Sequence, residues 1–215
     1  MDLEYLVNVT AYILKGCILT FKLYSVTALF SLPVGMIFAL GKVSKIKPIK
    51  LILDIYTWVF RGTPLMLQVF FTYFGLPVIG IRLSPFAAAA VTYILNYAAY
   101  ITEIFRGGIE SIDRGQYEAA KALGMNYFQT MRSIILPQTV KRILPPTCNE
   151  AINLVKDTAI VAAIGMGDLL RNAKEIVTRD FRITPFFIAA VIYLLMSSAI
   201  VLAFKKIEKS FSYME

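Results

Sequence analysis

Residues 185–204 form a run of 20 residues without a charged side chain. A helix needs about 20 mainly apolar residues to cross the hydrocarbon core of a bilayer. Lipid offers exposed backbone groups no hydrogen-bond partners, so a run of this length crosses as a helix. Four further apolar segments of similar length cover residues 13–40, 51–76, 86–105 and 143–166. The sequence therefore predicts an all-α polytopic bundle of about five transmembrane helices, forming a single domain over residues 1–215.

The composition agrees with a membrane domain. Of the 215 residues, 58% are hydrophobic, whereas soluble domains contain about 45–50% apolar residues. The net charge of +8 would suggest nucleic-acid binding in a soluble protein. Here the lysines gather in two short segments, 42–50 and 205–209, and positive loops mark the cytoplasmic side. We therefore predict a multi-pass protein with its N-terminus outside and its C-terminus in the cytoplasm, in contact with anionic lipid and not with nucleic acid.

Several kinds of chemistry are excluded by residues that the sequence lacks. There is no histidine, and Cys17 and Cys148 stand far apart, so the sequence holds no zinc-type ligand set. No G-x-x-x-x-G-K-[ST] motif occurs to cradle ATP phosphates, and no nucleophile has a histidine base. We expect no catalytic residue, no metal site and no cofactor in this chain.

The segment 143–166 carries the largest set of polar side chains within a predicted span. Glu150, Asn153 and Asp157 fall within about 60° of one another around a helix. In the span 86–105, Asn96 and Glu103 are seven residues apart and share a helix face. A carboxylate within a span costs about 2.5–3.5 kcal/mol, so both glutamates require a compensating partner.

A substrate with a cationic group is one such partner. Two carboxylates around one guanidinium or ammonium group compensate each other's desolvation when the ligand is bound. Amide and hydroxyl side chains nearby would bind the substrate's other polar groups. The predicted substrate-binding residues are Glu150, Glu103, Asn153, Asn96, Gln68, Lys156 and Thr158.

Structural ion pairs are the alternative role for the same carboxylates. Glu150 and Lys156 are six residues apart. Glu103 and Arg106 are three residues apart, a spacing that brings side chains together on a helix. Either glutamate could also pair with Lys22 of the first span.

The span 51–76 is interrupted by Arg61-Gly62-Thr63-Pro64. Proline and glycine at this point free backbone groups, which protein atoms or cavity water must then satisfy. Discontinuous helices of this kind line substrate paths in transporters. A simple kink near the cytoplasmic end of the span is the other interpretation.

A polar, helix-prone stretch at 107–137 separates the third and fourth spans. Glu118-Ala119-Ala120 is followed after three residues by Gly124, and after nine more by Ile134, Ile135, Leu136 and Pro137. Its apolar side chains recur near helical spacing and are Tyr117, Ala120, Leu123, Tyr127, Phe128 and Met131. Gly124 interrupts the pattern as a residue with positive φ at a helix end would. The pattern predicts two short helices joined at Gly124, which face water or a partner protein.

This spacing closely resembles the EAA loop of ABC importer permeases, whose pattern is E-A-A, three residues, G, nine residues, I-x-L-P. Every fixed position is matched. The resemblance extends from about Gly16 to Lys206, and Arg61-Gly62-Thr63-Pro64 and Lys156-Asp157-Thr158 resemble elements of polar amino-acid permeases. We favour a structural role for Asp157 and leave the role of Lys156 open.

The resemblance implies a type I ABC importer-like fold in a bacterial plasma (inner) membrane. It also implies that a cytoplasmic loop at about 107–137 docks into an ATP-binding subunit through Glu118, Ala119, Ala120 and Gly124. ATP and magnesium would bind that partner subunit. The other implied partners are a second permease subunit, in a homo- or heterodimer, and an external amino-acid-binding protein.

The predicted function is therefore import of polar amino acids, in particular basic ones such as arginine, lysine or histidine, by alternating access driven by ATP. One alternative is an importer for glutamine or another polar amino acid, with selectivity in the external receptor. Two further alternatives are an ion-coupled secondary transporter, which a protonophore would inhibit without ATP depletion, and a membrane scaffold or receptor, which would show no substrate-stimulated ATPase activity.

Overall fold

The computed structural model describes residues 3–212, and this part of the chain is helical, without a strand. The elements are α1 (Leu3–Val43), α2 (Lys47–Gly62), α3 (Leu65–Phe70), α4 (Pro85–Glu110), α5 (Arg114–Ala122), α6 (Tyr127–Thr130), α7 (Leu136–Asp157), α8 (Leu169–Asp180) and α9 (Thr184–Ser212). Two π-helical turns, Phe71–Gly75 and Met131–Ile135, and two 3-10 segments, Leu76–Ile79 and Thr158–Ile164, extend the α-helices. The all-α prediction is confirmed.

A stripe of small side chains brings α1 against α4. The buried positions of α1 include Gly16, Thr20, Thr27, Ser31, Gly35 and Ala39. A Cβ atom at Gly35 would lie 2.5 Å from Ile101 Cγ2 and 3.0 Å from the Ala98 carbonyl oxygen. Lipid is as apolar as leucine, so helix packing in a membrane depends on such close approach.

Helix α4 lies at the centre of the bundle and is buried on most of its sides. Its buried residues run from Ala88 to Ile109 and include Tyr93, Asn96 and Tyr97. Helix α4 packs against α1, α2 and α7, and α7 packs in turn against α9. The core around Tyr93 and Tyr97 also includes Leu23 and Leu154. Polar groups on α4 are therefore held between helices.

The second predicted span is divided into α2 and the helical segment Leu65–Ile79, which begins with α3 and is bent by 104° from α2. By length and apolar composition, two helices among residues 3–212 are able to cross a membrane, α1 and Thr184–Ser210 of α9. The α2–α3 pair makes a third if it is counted as one span. Helices α4 and α7 fall outside this criterion, so the count of about five spans remains a prediction from the sequence.

Several helices are longer than the spans predicted from the sequence. Helix α1 begins at Leu3, before residue 13, and α9 continues past residue 204 to Ser212. Helix α4 ends at Glu110 and α7 begins at Leu136, outside the limits 86–105 and 143–166. Hydropathy marks where polar residues begin, whereas backbone hydrogen bonding continues into those polar residues.

The segment 166–184, between the fourth and fifth predicted spans, contains the helix α8. Asp168 caps it by accepting hydrogen bonds from the backbone N–H groups of Leu170 and Arg171, both at 3.1 Å. The buried face of α8 includes Leu169, Asn172, Ala173 and Ile176. Mixed charges on its exposed face obscured this helical period.

Candidate functional site

A polar cavity of about 480 Å³ lies between the α2–α3 break, the middle of α4 and the C-terminal half of α7. Its lining residues are Arg61, Gly62, Thr63, Pro64, Leu65, Asn96, Tyr97, Tyr100, Glu150, Asn153 and Asp157. Three of the predicted substrate-binding residues, Asn96, Glu150 and Asn153, meet here. The break in the second span therefore borders a cavity, as the interpretation of a discontinuous helix required.

Two amide side chains satisfy the backbone carbonyls that the break exposes. Gln68 Nε2 donates to the carbonyl oxygens of Phe60 at 2.9 Å and Thr63 at 3.1 Å. Asn96 Nδ2 donates to the same Phe60 oxygen at 2.9 Å and to Gln68 Oε1 at 3.0 Å. Buried carbonyls without partners are costly, so these contacts hold the break open. Asn96 also lines the cavity, whereas Gln68 lies behind it.

The α7 side of the cavity carries two carboxylates in different surroundings. Asp157 Oδ2 accepts a hydrogen bond from the Tyr97 hydroxyl at 2.6 Å, and the Asp157 carbonyl accepts one from the Tyr93 hydroxyl at 2.6 Å. Within residues 3–212, no hydrogen bond or ion pair engages the half-buried carboxylate of Glu150. Asp157 is thus anchored to α4, and Glu150 is available to a ligand.

Glu103 lies outside the lining of this cavity, at the junction of α1, α2 and α4. Its carboxylate pairs with Lys42, and with Arg106 Nη2 at 2.7 Å. Arg61 Nη1 is 3.7 Å from Glu103 Oε2. Of the ion pairs considered from the sequence, Glu103 with Arg106 is present. Lys22 instead lies over the Phe86 ring, 4.8 Å from its centroid.

Lys156 and Thr158 also lie apart from the cavity. Lys156 is exposed on another side of α7, beside Phe186 and Tyr193 of α9. Thr158 is completely buried, and its hydroxyl donates to the Val155 carbonyl at 2.6 Å. The structure therefore separates these two residues, together with Gln68 and Glu103, from Glu150.

The cavity side chains that were not named as site residues from the sequence include Arg61, Tyr97 and Tyr100. Tyr97 and Tyr100 follow Asn96 at one and four residues along α4, and Arg61 was considered only as part of the break. The signal for the tyrosines was present, because Tyr93, Asn96, Tyr97 and Tyr100 recur at helical spacing on a single face. Arg61 had no comparable signal.

The loop containing Glu118 forms a helical corner at Gly124. Gly124 has φ +74°, its N–H donates to the Lys121 carbonyl, and the Met125 N–H donates to the Ala120 carbonyl, both at 3.0 Å. This is the Schellman arrangement, which favours glycine in the left-handed region. Helix α5 is short, as predicted. The prediction of a second short helix is wrong, because α6 continues through the Met131–Ile135 turn into α7.

The apolar side chains of this corner divide into an inner and an outer group. Ala120 and Met131 are buried, and Tyr117 packs against Met131 within a small core. The outer group, here called the corner patch, comprises Leu123, Tyr127 and Phe128, which are 80%, 71% and 70% exposed. Glu118 and Ala119 are exposed beside it. An apolar patch rimmed by polar residues is typical of a protein interface.

Comparison with known proteins places this geometry in a family. Residues 31–213 match the model of binding-protein-dependent transport system inner membrane components. The arginine transport system permease protein ArtQ of Bacillus subtilis is 41% identical over 211 residues, which cover 97% of this chain and 96% of the relative. A putative glutamine transport system permease protein GlnP of Rickettsia felis is 40% identical over 211 residues, 96% and 97% of the two chains.

A solved structure is similar to this chain in both fold and sequence. The crystal structure of an amino acid ABC transporter with histidines contains a chain that is 38% identical to this one. The TM-score is 0.89, over 98% of this chain and 99% of the other. These matches confirm the resemblance to ABC importer permeases and the helical membrane-bundle fold. The chain therefore belongs to the family of binding-protein-dependent transport system inner membrane components.

Proposed function

We propose that this chain is the permease subunit of an ATP-driven importer of polar amino acids, in particular of basic ones such as arginine, lysine and histidine. The similarity to permeases named for arginine and glutamine supports the amino-acid class. The observation that carries the basic preference is the free carboxylate of Glu150 beside Asp157 in the cavity. Two acidic groups repel an anionic ligand and favour a cationic one.

The proposed substrate contacts are a subset of those predicted from the sequence. Glu150 binds the cationic side chain of the substrate, and Asn153 and Asn96 donate to its polar groups. Gln68 supports the site by holding the helix break. The contribution of Lys156 and Thr158 is to the packing of α7. Glu103 has a positioning role, because its carboxylate already pairs with Lys42 and Arg106.

A member of this family is the membrane component of a transport system, and it works with an ATP-binding subunit and a substrate-binding protein. We propose that α5 and the corner patch dock on the ATP-binding subunit, with Glu118, Ala119, Ala120 and Gly124 at the contact. ATP and magnesium bind there, and this chain holds no cofactor. The corner then lies in the cytoplasm, with the N-terminus of the chain outside and its C-terminus inside.

The transport step in this proposal is a rigid-body motion of two permease subunits, either identical or different, about a shared axis. Closure of the ATP-binding subunits draws the two corners together. Because α6 continues into α7, a displacement of the corner reaches Glu150 and Asn153 directly. A substrate shifts the equilibrium by its different affinity for the two states, and Glu150 is the group whose access would change.

The charge of Glu150 is tested by Glu150→Gln in the purified complex with the ATP-binding subunit. We expect arginine and lysine to bind at least about 10-fold more weakly, because a charge-assisted hydrogen bond is lost. The matched control is Glu110→Gln, which neutralises an exposed carboxylate of α4 that pairs with Arg106. Calorimetry would give the dissociation constants. Equal affinities in wild type and Glu150→Gln would contradict the proposal.

Glutamine is the second candidate substrate, with selectivity in the external binding protein. The amides of Asn96 and Asn153 in the cavity and the similarity to permeases named for glutamine favour it. Tight binding of glutamine that Glu150→Gln leaves unchanged, without binding of arginine, would select this candidate. The family match stands against an ion-coupled secondary transporter and against a scaffold or receptor.

A further inference from the structure

The charges that line the cavity are two carboxylates, on Glu150 and Asp157, and one guanidinium, on Arg61. An α-amino acid brings a carboxylate of its own as well as an ammonium group. In a site that already holds two carboxylates, this third one requires a cation to offset the repulsion. Arg61 is the cation that the lining of the cavity supplies.

The contacts of the Arg61 guanidinium beside the cavity are long. Its Nη1 is 3.7 Å from Glu103 Oε2, an oxygen that already accepts from Arg106 at 2.7 Å. The other oxygen of Glu103 pairs with Lys42. The Arg61 guanidinium lies over the Tyr100 ring at 5.3 Å, and the side chain is 42% exposed. Glu103 therefore stays neutralised by Lys42 and Arg106 when Arg61 turns to another anion.

The backbone that carries Arg61 is fixed beside the cavity. Arg61 is in the last turn of α2, next to Phe60, whose carbonyl accepts from both Gln68 and Asn96 at 2.9 Å. The Thr63 carbonyl accepts from Gln68 as well. A flexible side chain on a fixed backbone is suited to ligand binding, because the guanidinium of Arg61 can reach a ligand without disturbing helix packing.

We propose that Arg61 binds the α-carboxylate of the substrate, as a two-pronged guanidinium–carboxylate pair, while Glu150 binds the cationic side chain. This inference rests on the proposed substrate cavity and adds the group that recognises the backbone end of the amino acid. A guanidinium matches the geometry of a carboxylate through two parallel N–H donors. The cavity then distinguishes an amino acid from an amine of the same side chain.

The test compares L-arginine with agmatine, which has the same guanidinium side chain and lacks the carboxylate. Dissociation constants are measured on the purified complex with the ATP-binding subunit, for wild type, Arg61→Gln and Arg61→Lys. We expect Arg61→Gln to lower the preference for arginine over agmatine at least about 10-fold, mainly by weakening arginine binding. Agmatine binding is retained or strengthened because a like charge is removed. Arg61→Lys should give an intermediate preference for arginine over agmatine, since the ammonium of lysine keeps the charge but lacks the two parallel N–H donors of the guanidinium.

Arg82→Gln is the matched control, because Arg82 is an exposed arginine just before α4 and lies outside the cavity lining. It should keep the wild-type ratio of arginine to agmatine affinity. An unchanged ratio in Arg61→Gln, or an equal loss for both ligands, would overturn the assignment of Arg61. If that happens while Glu150→Gln still weakens both ligands, the cavity remains the substrate site. If Glu150→Gln changes neither affinity, or wild type binds neither ligand, the proposed cavity fails as well.

Discussion

Single residues without bulk determine how closely α1 approaches its neighbours. Gly16 lies against the backbone of Asp168 and Leu169, where a Cβ atom would come within 2.6 Å. Gly35 lies against Ile101 in the same way. Both glycines are inside a helix, where glycine costs about 1 kcal/mol relative to alanine. Here the close approach of a second helix outweighs that cost.

We expect Gly35→Ala to lower the midpoint temperature of unfolding of the purified complex. Its Cβ would lie 2.5 Å from Ile101 Cγ2, and overpacking of this kind costs about 1–3 kcal/mol. The control is Gly107→Ala in α4, where a Cβ atom meets nothing within 4 Å and where the change favours the helix. Equal unfolding temperatures for Gly35→Ala and wild type would contradict this account of the α1–α4 contact.

At the scale of elements, the α5–α6 corner exposes apolar side chains on a rigid support. The Schellman turn at Gly124 ends α5. A capping box begins α6: the side-chain oxygens of Asn126 and Gln129 each accept a hydrogen bond from the other residue's backbone N–H, both at 2.9 Å. Both ends of the corner are therefore satisfied by local hydrogen bonds. The corner patch of Leu123, Tyr127 and Phe128 stays exposed because its helices have no further surface to bury it against.

We expect Leu123→Ser combined with Phe128→Ser to abolish copurification of the ATP-binding subunit while the chain itself still accumulates in the membrane. Both side chains are at least 70% exposed, so little core packing is lost. Phe181→Ser is the matched control, since Phe181 is 92% exposed just after α8, away from the corner. A double variant that still binds the ATP-binding subunit at wild-type level would show that the corner patch is not the docking surface.

At the scale of the whole molecule, one ionic cluster joins the consecutive helices α1 and α2 to the more distant helix α4. Lys42 of α1 pairs with Asp54 of α2 at 2.8 Å and with Glu103 of α4, and it donates to the Thr57 hydroxyl at 2.8 Å. The Lys42 side chain is only 6% exposed. A buried charge of this kind is tolerated because several partners surround it. The cluster holds α2 in the orientation that places Arg61 beside the cavity.

We expect Lys42→Met to destabilise the protein by about 1–3 kcal/mol, because Asp54 and Glu103 both lose their buried cation while Glu103 keeps Arg106 as a partner. Adding Glu103→Gln should restore part of this loss, so that the double variant is more stable than the sum of the single variants predicts. Lys45→Met, an exposed lysine of the same connection, is the control. The unfolding midpoints of wild type, Lys42→Met, Glu103→Gln and the double variant measure the coupling between Lys42 and Glu103. Strict additivity would show that the cluster does not act as a unit.

The sequence by itself determined the properties that depend on neighbouring residues. The apolar runs define helices α1 and α9, because helical hydrogen bonds form between residues that are close in sequence, and lipid contact requires only a continuous apolar run. The spacing around Gly124 predicted the corner, and the helical period placed Glu150, Asn153 and Asp157 on one side of α7. The break at Arg61-Gly62-Thr63-Pro64 was also visible, since proline and glycine act on the backbone beside them.

Only the tertiary structure decided which polar groups face one another. The free-energy cost of placing a carboxylate in a membrane helix is the same for Glu103 and Glu150. Glu103 nevertheless pairs with Lys42, which is 61 residues away in sequence, whereas Glu150 lines a cavity. The 104° bend between α2 and the segment Leu65–Ile79 brings Arg61 to the edge of that cavity. Such encounters depend on the angles at which helices pack and on how closely small side chains let them approach. That information is absent from any single stretch of the chain, because it belongs to pairs of helices.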